Sequence, residues 1–179
     1  MLAKTQTVII QNVYPEVDCG RYPTKREQGE TLEVWADIFK EGHDLIAAVL
    51  KYRRWDEREW HETPMRLHDN DRWRGEFSLT ENTRYLFTIE AWPDAFASWQ
   101  HDVAGDLLEG AALVRSAAHR AAGADAHRLL ELAEAMTGNV DAVRRSRLAL
   151  GEELSSLVAA YPDRSTASVY DRELEVYAD

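Results

Sequence analysis

The chain has 179 residues, 45% hydrophobic and 30% charged, with a formal net charge of -11. That is room for one ordinary domain or two small ones with a real core. The acidic balance argues against a sequence-independent grip on nucleic acid or on an anionic membrane, both of which need clustered Lys and Arg. No run approaches the ~20 apolar residues of a membrane span, and Val8-Ile9-Ile10 is too short for a signal-peptide core. The single Cys19 permits no intramolecular disulfide and suits a reducing compartment, so a soluble cytoplasmic protein is expected.

In chain order, strands come first. Thr7–Val13 is a candidate, and Thr31–Phe39 alternates Leu32, Val34, Ala36 and Ile38 against Glu33, Trp35, Asp37 and Phe39. Leu45–Arg53 and Glu59–Leu67 follow. Arg72–Phe77 sets Trp73, Gly75 and Phe77 against Arg72, Arg74 and Glu76, and Arg84–Trp92 completes the series. Period two with one wet face is the mark of a half-buried strand. Turn residues separate the candidates: Gln28-Gly29, the run from Glu41 to Asp44, the run from Asp69 to Asp71, and Glu81-Asn82. Strands at this spacing predict a small antiparallel sandwich of immunoglobulin type.

The composition then switches. All six tryptophans precede residue 103, no aromatic occurs from Val103 to Ala160, and Ala and Leu dominate that segment. Three helices are predicted. Asp106 and Glu109 have capping-box spacing for the first, with Gly123 as its stop. Asp125 would cap a second, closed by Gly138, and Asn139 a third through Val140, Val143, Leu150, Leu154 and Leu157 to Pro162. Short loops predict an antiparallel bundle. Ser168–Asp179 then recovers aromatic and β-branched residues, so a final strand would rejoin the sandwich. The expected division is a sandwich of residues 1–102 plus 165–179 with an inserted bundle of 103–164.

No constellation of residues marks an active site. His61-Glu62 resembles the start of a zinc-binding H-E-x-x-H, but the second ligand position is Met65, and Pro64 would break the helix the motif needs. The other histidines are scattered, no glycine-rich phosphate loop or nucleophile elbow occurs, and no carboxylate pair is singled out. No catalytic, metal-binding or cofactor residue is assigned. The stretch EAWPDAFASWQHD, Glu90–Asp102, is the candidate joint between the two parts. There Phe96 and Trp99 would plug the joint, and Asp94 and Asp102 would cap turns or helices beside His101. Trp92 and Trp99 are also candidates for stacking on a sugar ring, as are other tryptophans off the core faces, Trp35, Trp55 and Trp60.

Several stretches carry a family likeness. Glu16–Arg53, Pro64–Phe77 (PMRLHDNDRWRGEF), Glu90–Asp102, Leu107–Val114 and Tyr170–Asp179 (YDRELEVYAD) resemble the amino-terminal region of the bacterial maltosyltransferases that act on maltose 1-phosphate, relatives of the α-amylases. The resemblance covers nearly the whole chain. It implies a sandwich with a helical insertion that precedes a catalytic (β/α)-barrel beyond Asp179. It also implies a homodimer in which these parts help form the interface, and an α-1,4-glucan acceptor for the barrel's retaining maltosyl transfer. The aspartate nucleophile and glutamate acid/base of that reaction belong to the barrel, so none carries over to this chain. Two departures stand out. Only Val103–Asp106 joins His101-Asp102 to the helical part, where the family has a longer connection, so either this relative is shortened or a segment is missing here. The last strand also stops where relatives run on into the barrel. The expected function is thus a noncatalytic assembly and scaffold domain. The alternatives are a glucan-binding sandwich, which would show tryptophans in a row on one sheet face, and a stand-alone immunoglobulin-like interaction protein.

Overall fold

The computed structural model describes residues 8–102, 106–139 and 141–179. Three expectations therefore fall partly outside it: Thr7 of the first strand, Val103–Gly105 of the short connection, and Val140. The fold is mixed, with ten strands and five helices among the described residues and no closed barrel. It divides into two compact units. One comprises the chain up to Gly42, Ile46–Pro93 and Thr166–Asp179; the other comprises His43–Leu45 and Asp94–Ser165.

The first unit holds two sheets. β1 (Ile9–Tyr14), β3 (Thr31–Phe39), β7 (Arg72–Ser78) and β6 (Arg66–Asp69) lie in that order, all antiparallel. The second sheet runs β2 (Thr24–Arg26), β10 (Leu174–Ala178), β8 (Arg84–Pro93), β4 (Ile46–Arg54), β5 (His61–Pro64), with β9 (Ser168–Val169) also paired to β8. Both sheets turn apolar faces to one core. Leu32, Val34, Ala36 and Ile38 of β3 are fully buried, as the alternation predicts, and meet Leu50, Phe87, Ile89 and Val176 from the other sheet. Phe77 stacks on Tyr52 with ring centroids 4.4 Å apart.

Three expectations for this unit need correction. The second sheet is not purely antiparallel, because β10 pairs parallel with β2, a three-residue strand too short to announce itself by periodicity. The predicted strand Glu59–Leu67 is two strands in different sheets. The chain leaves β5 at Pro64, passes through buried Met65, whose amide donates to Ala48 O at 2.9 Å, and enters β6. Gly75 of β7 makes that crossing possible, since a Cβ there would sit 2.9 Å from Met65 Cγ and 3.2 Å from Leu50 Cβ. The returning strand Ser168–Asp179 is also two. β9 pairs Val169 with Glu90 and β10 pairs Leu174 with Phe87, so the chain carries more residues than β8 across that interval and bulges outward. The hydroxyl of buried Thr88 donates to Arg172 O at 3.0 Å and holds the bulge.

The second unit contains α1 (Ala95–His101), α2 (Leu107–Arg120), α3 (Gly123–Thr137), α4 (Ala142–Ala149) and α5 (Glu152–Ala160). Five helices replace the three expected. α1 lies in this unit, whereas the composition switch grouped residues up to 102 with the strands. The third predicted helix breaks at Leu150-Gly151, where Gly151 takes extended geometry and starts α5. Asp106 caps α2, its side chain accepting from Leu108 N, and Gly138 closes α3, both as read from sequence. The other signals move. Gly123, at φ 59°, opens α3 and does not stop α2. Asp125 sits in the first turn of α3 and accepts the Tyr161 hydroxyl at 2.6 Å, and α4 is capped by Asp141, not Asn139. Ala117, Leu129, Ala133, Met136 and Leu154 form the second core, with α1 tied to it by Gln100 Nε2 donating to Ala149 O and Ser155 Oγ.

Candidate functional site

The residues singled out between Glu90 and Asp102 are held by ordinary folding forces. Trp92 lies on the face of β8 opposite Phe87, Ile89 and Ala91, and is only 5% exposed. Asp94 is the N-cap of α1, its Oδ1 accepting from Ala97 N at 2.9 Å, which satisfies one of the helix's orphan donors. Phe96 and Trp99 are core side chains of the helical unit, with centroids 5.5 Å apart. Trp99 is 9% exposed, and its Nε1 donates to Asp106 O at 3.2 Å. Gly110 packs flat against that indole: a Cβ there would fall 2.2 Å from the ring. His101 and Asp102 are exposed at the end of α1, 3.8 Å apart. A sugar ring needs an open aromatic face to stack on, and neither indole here offers one.

The remaining tryptophans do not form a row. Trp73 faces the core edge and donates its Nε1 to Ile38 O. Trp60 is capped by the Arg53 guanidinium 4.8 Å from its ring, and Trp55, just past the end of β4, is 61% exposed. Trp35 alone stands on the outer face of the four-stranded sheet.

That outer face has a continuous cross-strand row. Register places Tyr14 of β1 beside Trp35 of β3, Trp35 beside Arg74 of β7, and Arg74 beside Arg66 of β6. Tyr14 is turned outward by the bulge at Asn12, which takes φ 52°, and is 55% exposed. Trp35 is half-buried, with the His68 ring edge-on at 5.0 Å and the Arg74 guanidinium 5.8 Å from its centroid. Glu33 and Glu76 accept from Arg74 at 2.6 and 2.7 Å. Beside this row Asp37 accepts from Asn12 Nδ2 at 2.7 Å and from Arg72 at 3.0 Å. Those two bonds, the Asn12 one foremost, hold the Asp37 carboxyl below its usual range. A groove of about 490 Å³ opens at the β6 end, lined by Thr63, Arg66, His68, Arg74 and Glu76 among others. Only Trp35 was marked in the sequence, as a tryptophan on the polar side of an alternating strand. Its neighbours come from other strands and left no local signal.

Elsewhere, Tyr170 donates its hydroxyl to Glu16 at 2.8 Å and receives Arg172 at 2.9 Å, and burial with the Glu16 carboxylate pushes the phenol up to about 12. The shifted carboxylates, Asp37, Glu57, Glu153 and Asp163, all move downward through hydrogen-bonding partners, as fixed ion pairs and caps do. A general acid needs the opposite shift. His61 is exposed on β5 beside Glu57, and no cluster of three His, Cys, Asp or Glu side chains fit for a metal occurs among the described residues.

Comparison with known proteins gives a consistent likeness. The family described as alpha-1,4-glucan:maltose-1-phosphate maltosyltransferase, domain N/S, matches residues 6–179. The chain is 43% identical to the alpha-1,4-glucan:maltose-1-phosphate maltosyltransferase of Myxococcus xanthus, over all of this chain and 30% of that protein. It is 36% identical to the protein of the same name from Chlorobaculum tepidum, over 96% of this chain and 27% of that one. The Rhodospirillum rubrum relative, again of that name, is 35% identical over all of this chain and 30% of its own length. The chain thus spans less than a third of these relatives.

Proposed function

Since the chain belongs to the N/S-domain family of the alpha-1,4-glucan:maltose-1-phosphate maltosyltransferases, we propose that it is the noncatalytic assembly and scaffold part of such an enzyme. The observation that carries this reading is one of extent: the likeness runs through the whole chain yet takes in only 27–30% of the three relatives named above. The carboxylates that transfer a maltosyl unit from maltose 1-phosphate to an α-1,4-glucan would sit in the remaining part, in a barrel.

In this reading the first unit is an immunoglobulin-like sandwich and the second a helical bundle inserted in it. Supporting that, the chain leaves the first unit along β8 and returns along β9, which pairs with β8 at Ala91 and Ser168. Entry and exit are neighbouring strands, about 5 Å apart, so a whole helical unit can be accommodated without breaking either sheet. The enzyme would work in the cytoplasm, in keeping with one exposed, unpaired Cys19. No described helix is long and apolar enough to cross a membrane.

The scaffold role includes self-association. Val143 and Leu150 are exposed on and just after α4 and line a shallow apolar groove with Ala142, which supports a docking face for a second copy. The charge of -11 per chain opposes this contact at low salt. A weak dimer, micromolar in Kd, is expected, tightening as salt rises. Two measurements test the proposal. Incubated with maltose 1-phosphate and maltohexaose, the chain should release no phosphate above a blank; turnover that copurifies through two columns would sink the reading. Sedimentation equilibrium should show a dimer weakened by Val143→Asp, and a strict monomer at hundreds of micromolar would remove self-association from the proposal.

A further inference from the structure

We infer that the groove beside β6 binds a small phosphate monoester, with Arg66 and His68 holding its phosphoryl group. Register sets Arg66 of β6 directly across from Arg74 of β7. Side chains paired in this way stand on the same side of a sheet with Cβ atoms ~4.5–5.5 Å apart, and like charges so placed destabilise it. Arg74 has its own counter-ions, since its Nη2 donates to Glu33 at 2.6 Å and to Glu76 at 2.7 Å. Arg66 has none. It is exposed and makes no ion pair or hydrogen bond among the described residues. A neutral side chain would serve the sheet better at this position. An anion seated on Arg66 would replace the repulsion between the two guanidiniums by attraction to both.

Both arginines line a groove of about 490 Å³ together with Thr63, Leu67, His68 and Glu76. That is within the ~300–1,000 Å³ of small-molecule sites. The groove exists because β5 and β6 are edge strands of different sheets and only Met65 separates them in the chain. Its free donors come from separate directions: the Arg66 guanidinium, the His68 ring and the Thr63 hydroxyl. His68 is set edge-on against Trp35, with ring centroids 5.0 Å apart, and neither of its nitrogens is bonded to a described residue. A tetrahedral phosphoryl group can accept from all three donors, whereas a planar carboxylate matches a single fork. Glu76, already bonded to Arg74, keeps the phosphoryl group at the Arg66 and His68 end. The groove is larger than a phosphoryl group needs, and Pro64 and the 55% exposed Leu67 give the uncharged part of an ester an apolar wall. The inference does not rest on the family reading: it concerns binding by this chain, and turnover has no part in its test.

The test is an NMR titration of the ¹⁵N-labelled 179-residue chain in low salt at about pH 7.5, where a phosphate monoester is mostly a dianion. Trp35 lies against His68, so its indole signal, assigned by Trp35→Phe, reports occupancy. Glucose 1-phosphate should move that signal saturably, and glucose should not. Inorganic phosphate should bind more weakly than the ester. Arg66→Ala should weaken ester binding by about tenfold or more, and Arg66→Lys, which keeps the charge without the fork, should fall between. Arg58→Ala, which removes an exposed arginine outside the groove, should leave binding unchanged. Thermal melts separate binding from folding. In phosphate-free buffer Arg66→Ala should melt no lower than wild type, because it relieves the repulsion with Arg74, and the ester should raise the wild-type midpoint more than that of the variant. The inference is overturned by the lack of a saturable shift, by an equal shift with glucose, inorganic phosphate or succinate, or by undiminished binding in Arg66→Ala.

Discussion

Replacing Gly110 by Ala tests whether Trp99 is a core anchor. In a helix interior this change ordinarily stabilises by about 1 kcal/mol, because glycine loses more backbone freedom. Here the added methyl would meet Trp99 ring atoms at 2.2, 2.5 and 2.5 Å. An indole is a flat, rigid body that cannot yield as a flexible chain end does, so it must leave its site. Overpacking of a closed core costs about 1–3 kcal/mol, and contacts this short belong at the upper end. Displacing the ring also breaks the Nε1 bond to Asp106 O, the carbonyl that the Gly110 amide uses as well, which adds about 1 kcal/mol. The expected net loss is about 2–3 kcal/mol for the helical unit, read by urea titration of the 222 nm ellipticity. In a Trp99→Ala background the clash has no partner, and Gly110→Ala should become neutral or mildly stabilising. A Gly110→Ala protein as stable as wild type, or an unchanged cost in the Trp99→Ala background, would refute the reasoning.

Two valines of the C-terminal segment should behave oppositely. Val176→Thr places a hydroxyl at a fully buried position between β2 and β8 and should cost about 1–3 kcal/mol, while exposed Val169→Thr should stay within about 0.5 kcal/mol in the same urea titration. The Tyr170 phenol titrates higher folded than unfolded, so the stability it contributes is complete below pH 10 and is lost as pH rises through about 12. The difference in urea midpoint between wild type and Tyr170→Phe should therefore shrink between pH 10 and 12; a difference that grows over that range would contradict the Glu16 hydrogen bond.

Local pattern decided a good deal of this protein. Thr31–Phe39 alternates strictly, and β3 occupies those residues, because a strand with one buried face records that face in every second position. Asp106 and Gly138 mark helix ends for a similarly local reason: the orphan amides and carbonyls they serve are within a turn of them. The switch from tryptophan-rich to alanine-rich sequence separated the strands from α2 to α5 through propensity summed over many residues, and missed only α1, which precedes it.

What remained depended on partners far away in the chain. Pro64 and Met65 read as the middle of one strand, yet the chain changes sheets there because Ala48 takes the Met65 amide and Gly75 leaves room for its side chain. β2 has no pattern of its own and exists because β10 lies alongside it. Gly110 looks like a weak point in a helix until Trp99 is set against it, and Trp99, read in the sequence as a plug for the joint, packs in the core of the helical unit against α2. The cross-strand row on the outer face of the four-stranded sheet has the same origin. Tyr14, Trp35, Arg74 and Arg66 are remote in sequence, and only the pairing of β1, β3, β7 and β6 sets them in one row. Cross-strand neighbours are fixed by register, and register is a property of the folded sheet, not of any one segment.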